Sequence, residues 1–422
     1  MHQLVINGPC QLKGETWVSG AKNSALPILA ATLLCKSGSI VHGIPHLKDV
    51  TSMISLLSTL GMVYSIDDKL SLTVEKNNVF SNKPPSDLVK SMRASILILG
   101  PMVSRFGEIT LDMPGGCAIG ARPIDLHLDM IKQMGAVVTM LDDKVYVKAE
   151  KLKGATINFK KQTVTGTENA IMAAVCAEGQ TILNNAAKEP EVSDLCDFLR
   201  KCGAKITGDG TECITIDGVS ELSGCEHTII PDRIEAGTLL IAAVMTGGDV
   251  TVHDCAPEHL VSVLDLLKEA GATLSINENS VSIKIDGAIK PVSLTTEVYP
   301  GLPTDLQAQF MAMNAIAAGE ATIEETIFEN RFKHVDELRR MGAQIKLDGS
   351  KSTTMGVEQL QGSVVKATDL RASAALILAA LCAQGESVLE SIHHIDRGYS
   401  NIEEKLSALG AKIRRHPNYM VL

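Results

Sequence analysis

One thiol stands in an unusual setting. The run Leu111-Asp112-Met113-Pro114-Gly115-Gly116-Cys117-Ala118-Ile119-Gly120-Ala121-Arg122-Pro123-Ile124-Asp125 places Pro114 and two glycines before Cys117, and Gly120 with Arg122-Pro123 after it. Proline fixes φ and withholds an N–H, while glycine reaches conformations closed to other residues, so the run predicts an exposed loop. A free cysteine is ordinarily a small buried apolar residue, and that is the expectation for the other nine of the ten. On such a loop a thiol is placed for chemistry. Arg122 is a cation able to bind an anion or to lower the thiol pKa.

Charged and polar residues gather where Ala/Leu-rich helices should begin: Lys22-Asn23-Ser24, Arg93-Ala94-Ser95, Thr165-Gly166-Thr167, Asp232-Arg233-Ile234-Glu235, Thr304-Asp305 and Thr368-Asp369-Leu370-Arg371. Helix N-termini carry unsatisfied N–H groups and a partial positive charge, and they attract anions. Ordinary capping accounts for the Ser, Thr and Asp residues. It does not account for Lys22, Arg93 and Arg371, cations at the positive end of a dipole, which point to a bound anion. Further cations stand in the irregular runs Glu329-Asn330-Arg331-Phe332 and His394-Ile395-Asp396-Arg397-Gly398-Tyr399.

Several chemistries are disfavoured. No Gly-x-Gly-x-x-Gly follows a strand and no Walker Gly-Lys-Ser/Thr is present, so NAD and ATP are not indicated. No Cys-x-x-Cys pair occurs, and His253-Asp254-Cys255 has no partner cluster, so no metal site, disulfide frame or cofactor is expected. The net charge of −10 without a basic block argues against nucleic acid. An acidic chain can still hold a cationic pocket for anionic small molecules.

The elements that must carry these residues repeat. Leu60-Gly61-Met62-Val63, Met134-Gly135-Ala136-Val137, Cys202-Gly203-Ala204-Lys205, Ala270-Gly271-Ala272-Thr273, Met341-Gly342-Ala343-Gln344 and Leu409-Gly410-Ala411-Lys412 are copies of one pattern, their glycines 74, 68, 68, 71 and 68 residues apart. A second glycine precedes each copy: Gly38, Gly107, Gly179, Gly247, Gly319 and Gly385. Each copy is a sizeable supersecondary unit. In the first, Ser24 to Cys35 reads as a buried helix and Ser39 to His42 as a strand. Asp49 reads as the cap of a second helix with apolar residues at i, i+3, i+4 and i+7, Gly61 as its C-cap, and Met62–Ile66 and Leu70–Val74 as two strands. With a strand leading in, the unit is β-α-β-α-β-β, an α/β class.

A chain of 422 residues exceeds one ordinary core. Six units over two domains gives three each: residues 22–229 form the first domain, with the Cys117 loop, and residues 1–21 with 230–422 form the second. The middle boundary is expected around Glu226 to Pro231. Residues 1–21 lack a helix of their own and are expected to complete a sheet of the second domain. Hydrophobic content of 45% with 21% charged residues describes a soluble protein. The longest apolar run, Ala372 to Ala383, is far short of the ~20 residues of a membrane span. Met1-His2-Gln3 leads straight into strand-like Leu4-Val5-Ile6, so no signal peptide is expected and a cytoplasmic location fits.

Six runs together resemble one family. They are Gly20-Ala21-Lys22-Asn23-Ser24, Pro114-Gly115-Gly116-Cys117 with Gly120-Ala121-Arg122-Pro123, Gly301-Leu302-Pro303-Thr304-Asp305, Phe328-Glu329-Asn330-Arg331-Phe332, Ala367-Thr368-Asp369-Leu370-Arg371-Ala372 and His394-Ile395-Asp396-Arg397-Gly398. Over the whole chain they resemble the enolpyruvyl transferases, and among these the ones that act on UDP-N-acetylglucosamine. The resemblance implies a two-domain inside-out α/β barrel with the active site in the cleft. It also implies transfer of the enolpyruvyl group of phosphoenolpyruvate to the sugar 3-hydroxyl with release of phosphate, at the start of peptidoglycan precursor synthesis and without metal or cofactor. Cys117 resembles the family's general acid and Asp305 the base that receives the hydroxyl proton. Lys22, Arg122 and Arg397 resemble residues that hold phosphoenolpyruvate, with Arg331 and Arg371 completing the anion clamp. Asn23, Arg93, the Arg122-Pro123-Ile124-Asp125-Leu126 segment, Lys161, Thr163, Val164 and the backbone at Ile327 resemble nucleotide-sugar contacts. Asp369 resembles an active-site carboxylate. Within the family a loop cysteine also implies sensitivity to the epoxide fosfomycin.

Two places depart from the pattern. Leu302 replaces an aromatic common before Pro-Thr-Asp, and Thr163 to Glu168 replaces a Ser-Val-Gly-Ala-Thr run, which bears on the diphosphate contacts. The transferase acting on shikimate 3-phosphate shares the fold but lacks the Cys loop. A non-catalytic sugar-nucleotide sensor would keep the clamp but need neither Cys117 nor Asp305. A thiol hydrolase would need a histidine partner for Cys117 that the sequence does not signal.

Overall fold

The computed structural model describes residues 2–77, 79, 81–115 and 124–417. They form two compact units with separate cores, one running from Gly20 to Ile230, the other comprising the residues up to Ser19 and those from Pro231 onward. Six helices lie buried in these cores: α1 (Lys22–Ala31), α2 (Leu99–Phe106), α3 (Val164–Ala174), α4 (Arg233–Met245), α5 (Gln307–Asn314) and α6 (Leu370–Cys382). In α4 and α6 every residue is buried, so neither has a solvent face, as sequences that are apolar on all sides apart from a few polar residues in the first two turns dictate. Each of Leu376, Ile377, Leu378 and Leu381 contributes about 1.5–3 kcal/mol by leaving water. No helix of the described residues is long and apolar enough to cross a membrane.

The described residues form six sheets. The third repeat shows the plan in sequence order: strand Thr156–Asn158, α3, strand Gln180–Asn184, helix Pro190–Lys201, then strands Lys205–Thr207 and Cys213–Asp217. The first strand pairs parallel with the second, and the last two add antiparallel. Gly61, Gly135, Gly203, Gly271, Gly342 and Gly410 all have φ between 93° and 116°, the left-handed conformation that ends a helix and that other residues reach only with strain. The repeat therefore recurs because one backbone turn recurs.

The ends of each unit are joined in an order the sequence does not display. Strand Lys13–Trp17, which precedes α1, runs parallel to Asp249–His253 and leads the sheet that follows α4. Strand Glu226–Thr228, which precedes α4, runs parallel to Ile40–His42 and leads the sheet that follows α1. The two leading strands are thus exchanged. Strand His2–Gly8 lies between Gly385–Glu390 and Lys412–Pro417, taking the place of the final strand of the sixth repeat. The amino-terminal residues hence enter two sheets rather than one, and Glu226–Thr228, within the stretch expected to hold the boundary, is a strand of the first unit, which ends at Ile230. In the second repeat the sheet has three strands. An irregular segment takes the fourth place, its Asn82 carbonyl accepting the Thr110 N–H at 2.9 Å.

One buried group works against stability. Glu168 in α3 is 1% exposed and its Oε1 has no partner. Burial, reinforced by Glu191 and Glu189, pushes its carboxyl pKa well above the ordinary glutamate value. The folded protein therefore keeps a proton that the unfolded chain releases, and stability falls as pH rises above the ordinary value. Glu168→Gln is expected to raise the unfolding free energy at pH 7 by about 1 kcal/mol or more, with the gain vanishing near pH 4, measured by urea denaturation.

Candidate active site

In the unit from Gly20 to Ile230, the candidate residues sit at helix beginnings. α1 starts at Lys22, two residues before the expected Ser24, and ends at Ala31, with a tighter turn at Thr32–Leu34. Pro27 lies inside it and withholds the N–H that the Asn23 carbonyl would otherwise receive. The chain reaches Lys22 through Gly20, where a Cβ would stand 1.9 Å from the Gly43 carbonyl oxygen, so only glycine fits. Lys22 is 9% exposed and its Nζ lies 3.8 Å from Asp49 Oδ2. Asp49, expected as a cap, is instead in the first turn of helix Lys48–Leu60, whose cap position is Leu47. The acid faces Lys22 from a neighbouring helix.

A buried chain fixes the first turn of α1. The Ser24 hydroxyl donates to Asp194 Oδ2, which also accepts the Ile230 N–H at 3.3 Å. Asp194 Oδ1 lies 2.8 Å from His227 Nε2, and His227 Nδ1 lies 3.2 Å from Lys201 Nζ. Serine, aspartate and histidine occur here, but the serine proton faces the carboxylate and not the imidazole. The trio positions a helix and does not make a nucleophile.

Arg93 opens the tight turn Arg93–Ile98 that precedes α2 and is half-buried. Thr163 caps α3 by accepting the Gly166 N–H at 3.2 Å, so the departure from the expected sequence still builds a capped helix end. Val164 is the first residue of α3, and Lys161 is exposed just before it. Ile124 occupies the cap position of helix Asp125–Gln133, with Leu126 in its first turn. Cys117, Arg122 and Pro123 lie outside the described residues.

In the other unit the structure brings four of the named residues together. Asp305 stands in the turn Thr304–Leu306 before α5. Its Oδ1 accepts from Arg331 Nη2 at 2.7 Å, and its Oδ2 from Arg371 Nε and Nη2 at 3.0 and 2.9 Å. Arg371 is 2% exposed, and its Nη1 has no partner. Burial opposes its charge, but Asp305, Tyr399 and Asp232 outweigh burial and raise its pKa above that of ordinary arginine. The guanidinium plane also lies 5.3 Å from the Tyr399 ring. Asp369 caps α6, its Oδ1 accepting the N–H groups of Arg371 and Ala372 at 2.9 and 3.0 Å. Arg397 ends the tight turn Ile392–Arg397 and is half-buried.

Helix capping divides the six buried helices. Thr163, Asp232 and Asp369 accept helix N–H groups at α3, α4 and α6. The ends of α1, α2 and α5 receive no side-chain cap bond. Lys22, Arg93 and Asp305 stand at those three ends, or in the turn leading into them.

Around Asp305 the structure adds Glu325, Gln309, Thr238 and His334, which the sequence did not single out. Thr304 Oγ1 donates to Glu325 Oε2 at 2.8 Å and accepts from Arg331 Nη1 at 3.1 Å. Gln309 Nε2 reaches the Tyr399 hydroxyl at 3.1 Å and Thr238 Oγ1 at 3.0 Å. His334 is wholly buried with neither ring nitrogen bonded, and burial pushes its pKa down to about 4, Asp369 opposing and Arg331 assisting. Thr368 Oγ1 is likewise buried without a partner. Buried polar atoms are normally satisfied, so a set of unsatisfied ones in a single unit is unusual. The arrangement holds one carboxylate between two guanidiniums and leaves cationic N–H capacity unused. It can bind an anion through charge-assisted hydrogen bonds.

A family described as EPSP synthase (3-phosphoshikimate 1-carboxyvinyltransferase) matches residues 6–406. A UDP-N-acetylglucosamine 1-carboxyvinyltransferase of Hydrogenovibrio crunogenus is 53% identical over 416 residues, which is 98% of this chain and 100% of that protein. A protein of the same name from Coxiella burnetii is 54% identical over 417 residues, 98% of this chain and 96% of the other. Among solved structures, the enolpyruvyl transferase NikO from Streptomyces tendae superposes with a TM-score of 0.89 at 26% identity, covering 99% of each chain. EPSP synthase from Acinetobacter baumannii gives 0.75 at 18% identity over 99% of this chain and 100% of that one, a likeness of fold. The chain belongs to the EPSP synthase family of enolpyruvyl transferases and has that family's mixed α/β fold.

Proposed function

We propose that this protein transfers the enolpyruvyl group of phosphoenolpyruvate to the 3-hydroxyl of UDP-N-acetylglucosamine and releases phosphate, opening peptidoglycan precursor synthesis. The observation that carries this reading is the identity of 53% and 54% over nearly the full length to proteins named for that transfer. The carboxylate held by two guanidiniums supports it chemically. Three β-α-β-α-β-β repeats in each unit, arranged as an inside-out barrel, are the proposed architecture. A cytoplasmic compartment suits the nine free cysteines among the described residues.

The reaction adds the sugar oxygen to C2 of phosphoenolpyruvate and a proton to C3, then expels phosphate with loss of a proton from C3. Cys117 supplies the proton to C3, and Asp305 receives the proton of the sugar hydroxyl. Arg331 and Arg371 hold Asp305 ionised in readiness. An anion that draws on the same guanidiniums loosens their grip on the carboxylate and raises its basicity. Lys22, Arg122 and Arg397 bind phosphoenolpyruvate with the two arginines, and such cations stabilise charge that develops in the tetrahedral adduct. Asn23, Arg93, Pro123, Ile124, Asp125, Leu126, Lys161, Thr163, Val164 and the Ile327 backbone receive the nucleotide sugar. Asp369 fixes the N-terminus of α6, and with it the backbone of Arg371.

Phosphate release assayed with phosphoenolpyruvate is expected to require UDP-N-acetylglucosamine, and shikimate 3-phosphate is expected not to replace it. Cys117→Ala is expected to abolish turnover while leaving UDP-N-acetylglucosamine affinity within about threefold, measured by calorimetry; phosphate release at the native rate rules out the acid role. Arg371→Lys keeps the charge but replaces a planar fork by a single ammonium. It is expected to raise KM for phosphoenolpyruvate at least about tenfold in steady-state assays.

A further inference from the structure

We propose that Glu325 is a positioning residue for this reaction, one carboxylate that sets both the arginine fork on Asp305 and the backbone at Ile327. The proposal rests on the reading of Asp305 as the base. Glu325 follows strand Glu320–Glu324 directly and is 3% exposed. Its Oε1 accepts the N–H groups of Ile327 and Phe328 at 2.9 and 3.1 Å. Its Oε2 accepts the Thr304 hydroxyl at 2.8 Å.

The direction of these bonds matters. The Thr304 hydroxyl donates to Glu325 Oε2, so its proton points toward Glu325. The Thr304 oxygen then turns a lone pair toward Arg331, whose Nη1 donates to it at 3.1 Å. The same guanidinium gives Nη2 to Asp305 Oδ1 at 2.7 Å. One polarised chain therefore runs Asp305–Arg331–Thr304–Glu325 and fixes the plane of the Arg331 fork. The other oxygen of Glu325 holds the turn that presents Ile327. Burying a carboxylate is costly unless its bonds are made, and here three donors satisfy it.

A glutamine cannot replace it. If the amide oxygen keeps the two backbone N–H groups, the amide NH2 faces Thr304 and competes with Arg331 for the hydroxyl oxygen. If it turns round, the NH2 faces two N–H donors. The first arrangement preserves more bonds, so Glu325→Gln should loosen the Arg331 fork and leave the Ile327 turn in place.

The test compares Glu325→Gln, Thr304→Val, Thr304→Ser, the Glu325→Gln/Thr304→Val double variant and Asp305→Asn in steady-state phosphate release. Glu325→Gln and Thr304→Val are each expected to lower kcat about tenfold or more, with KM for UDP-N-acetylglucosamine changed less than about threefold. Thr304→Ser keeps the hydroxyl and is expected to retain kcat within about threefold. The double variant is expected to be no slower than the worse single variant, because the two act as one unit. Native kcat in Glu325→Gln or Thr304→Val, additive losses in the double variant, or Thr304→Ser as slow as Thr304→Val overturns the proposal. If Glu325→Gln does not fold, the two Thr304 variants decide the outcome alone. An inactive Asp305→Asn beside a fully active Glu325→Gln refutes the Glu325 role only. An active Asp305→Asn refutes the base reading beneath it.

Discussion

The grip of two guanidiniums on Asp305 is the interaction on which the candidate site depends. Arg371 is removed from water, and a buried charge of this kind persists only where a partner offsets its desolvation. Asp305 supplies that partner while remaining 25% exposed, so the carboxylate is restrained and still reachable. Arg331 shares it, and the unbonded Nη1 of Arg371 leaves a donor in excess. The same pairs that hold the carboxylate thus leave a cationic donor suited to a negatively charged group.

The helix ends show how a repeated fold acquires unlike sites. Six helices begin in comparable places, but side chains finish them differently. Asp232 and Asp369 bond their own helix N–H groups and partly neutralise the dipole there. At α1 the acid Asp49 comes from a neighbouring helix and sits beside Lys22, while Ser24 is held by Asp194. A cation at a dipole's positive end is tolerated because carboxylates on other elements stand near it. Tertiary partners thereby free these ends from the local rule that a helix start wants its own acid.

The parts legible in sequence were those set by local backbone chemistry. The six in-register glycines signalled helix ends because a left-handed turn needs glycine wherever it recurs, and Gly61 behaves accordingly. The apolar run of α6 announced burial on all sides. Asp49 was misread because an acid before an apolar helix looks like a cap whether or not its side chain turns inward. Glu325 left no signal, since a glutamate at a strand end is ordinarily solvated and one of its three donors, Thr304, is distant in sequence. The exchange of leading strands was equally silent. Lys13–Trp17 and Glu226–Thr228 carry nothing that names their partners, and only the closure of each sheet chooses them.

That exchange also orders events at the ribosome. The sheet after α1 lacks its leading strand until Glu226–Thr228 has emerged, so the first three repeats finish together rather than one by one. The amino-terminal strands wait longer still. Lys13–Trp17 finds its neighbour only after Asp249–His253 is made, and His2–Gly8 only after Gly385–Glu390. These two strands are thus among the last of the described residues to be docked, and until then their hydrogen-bonding edges stand unpaired.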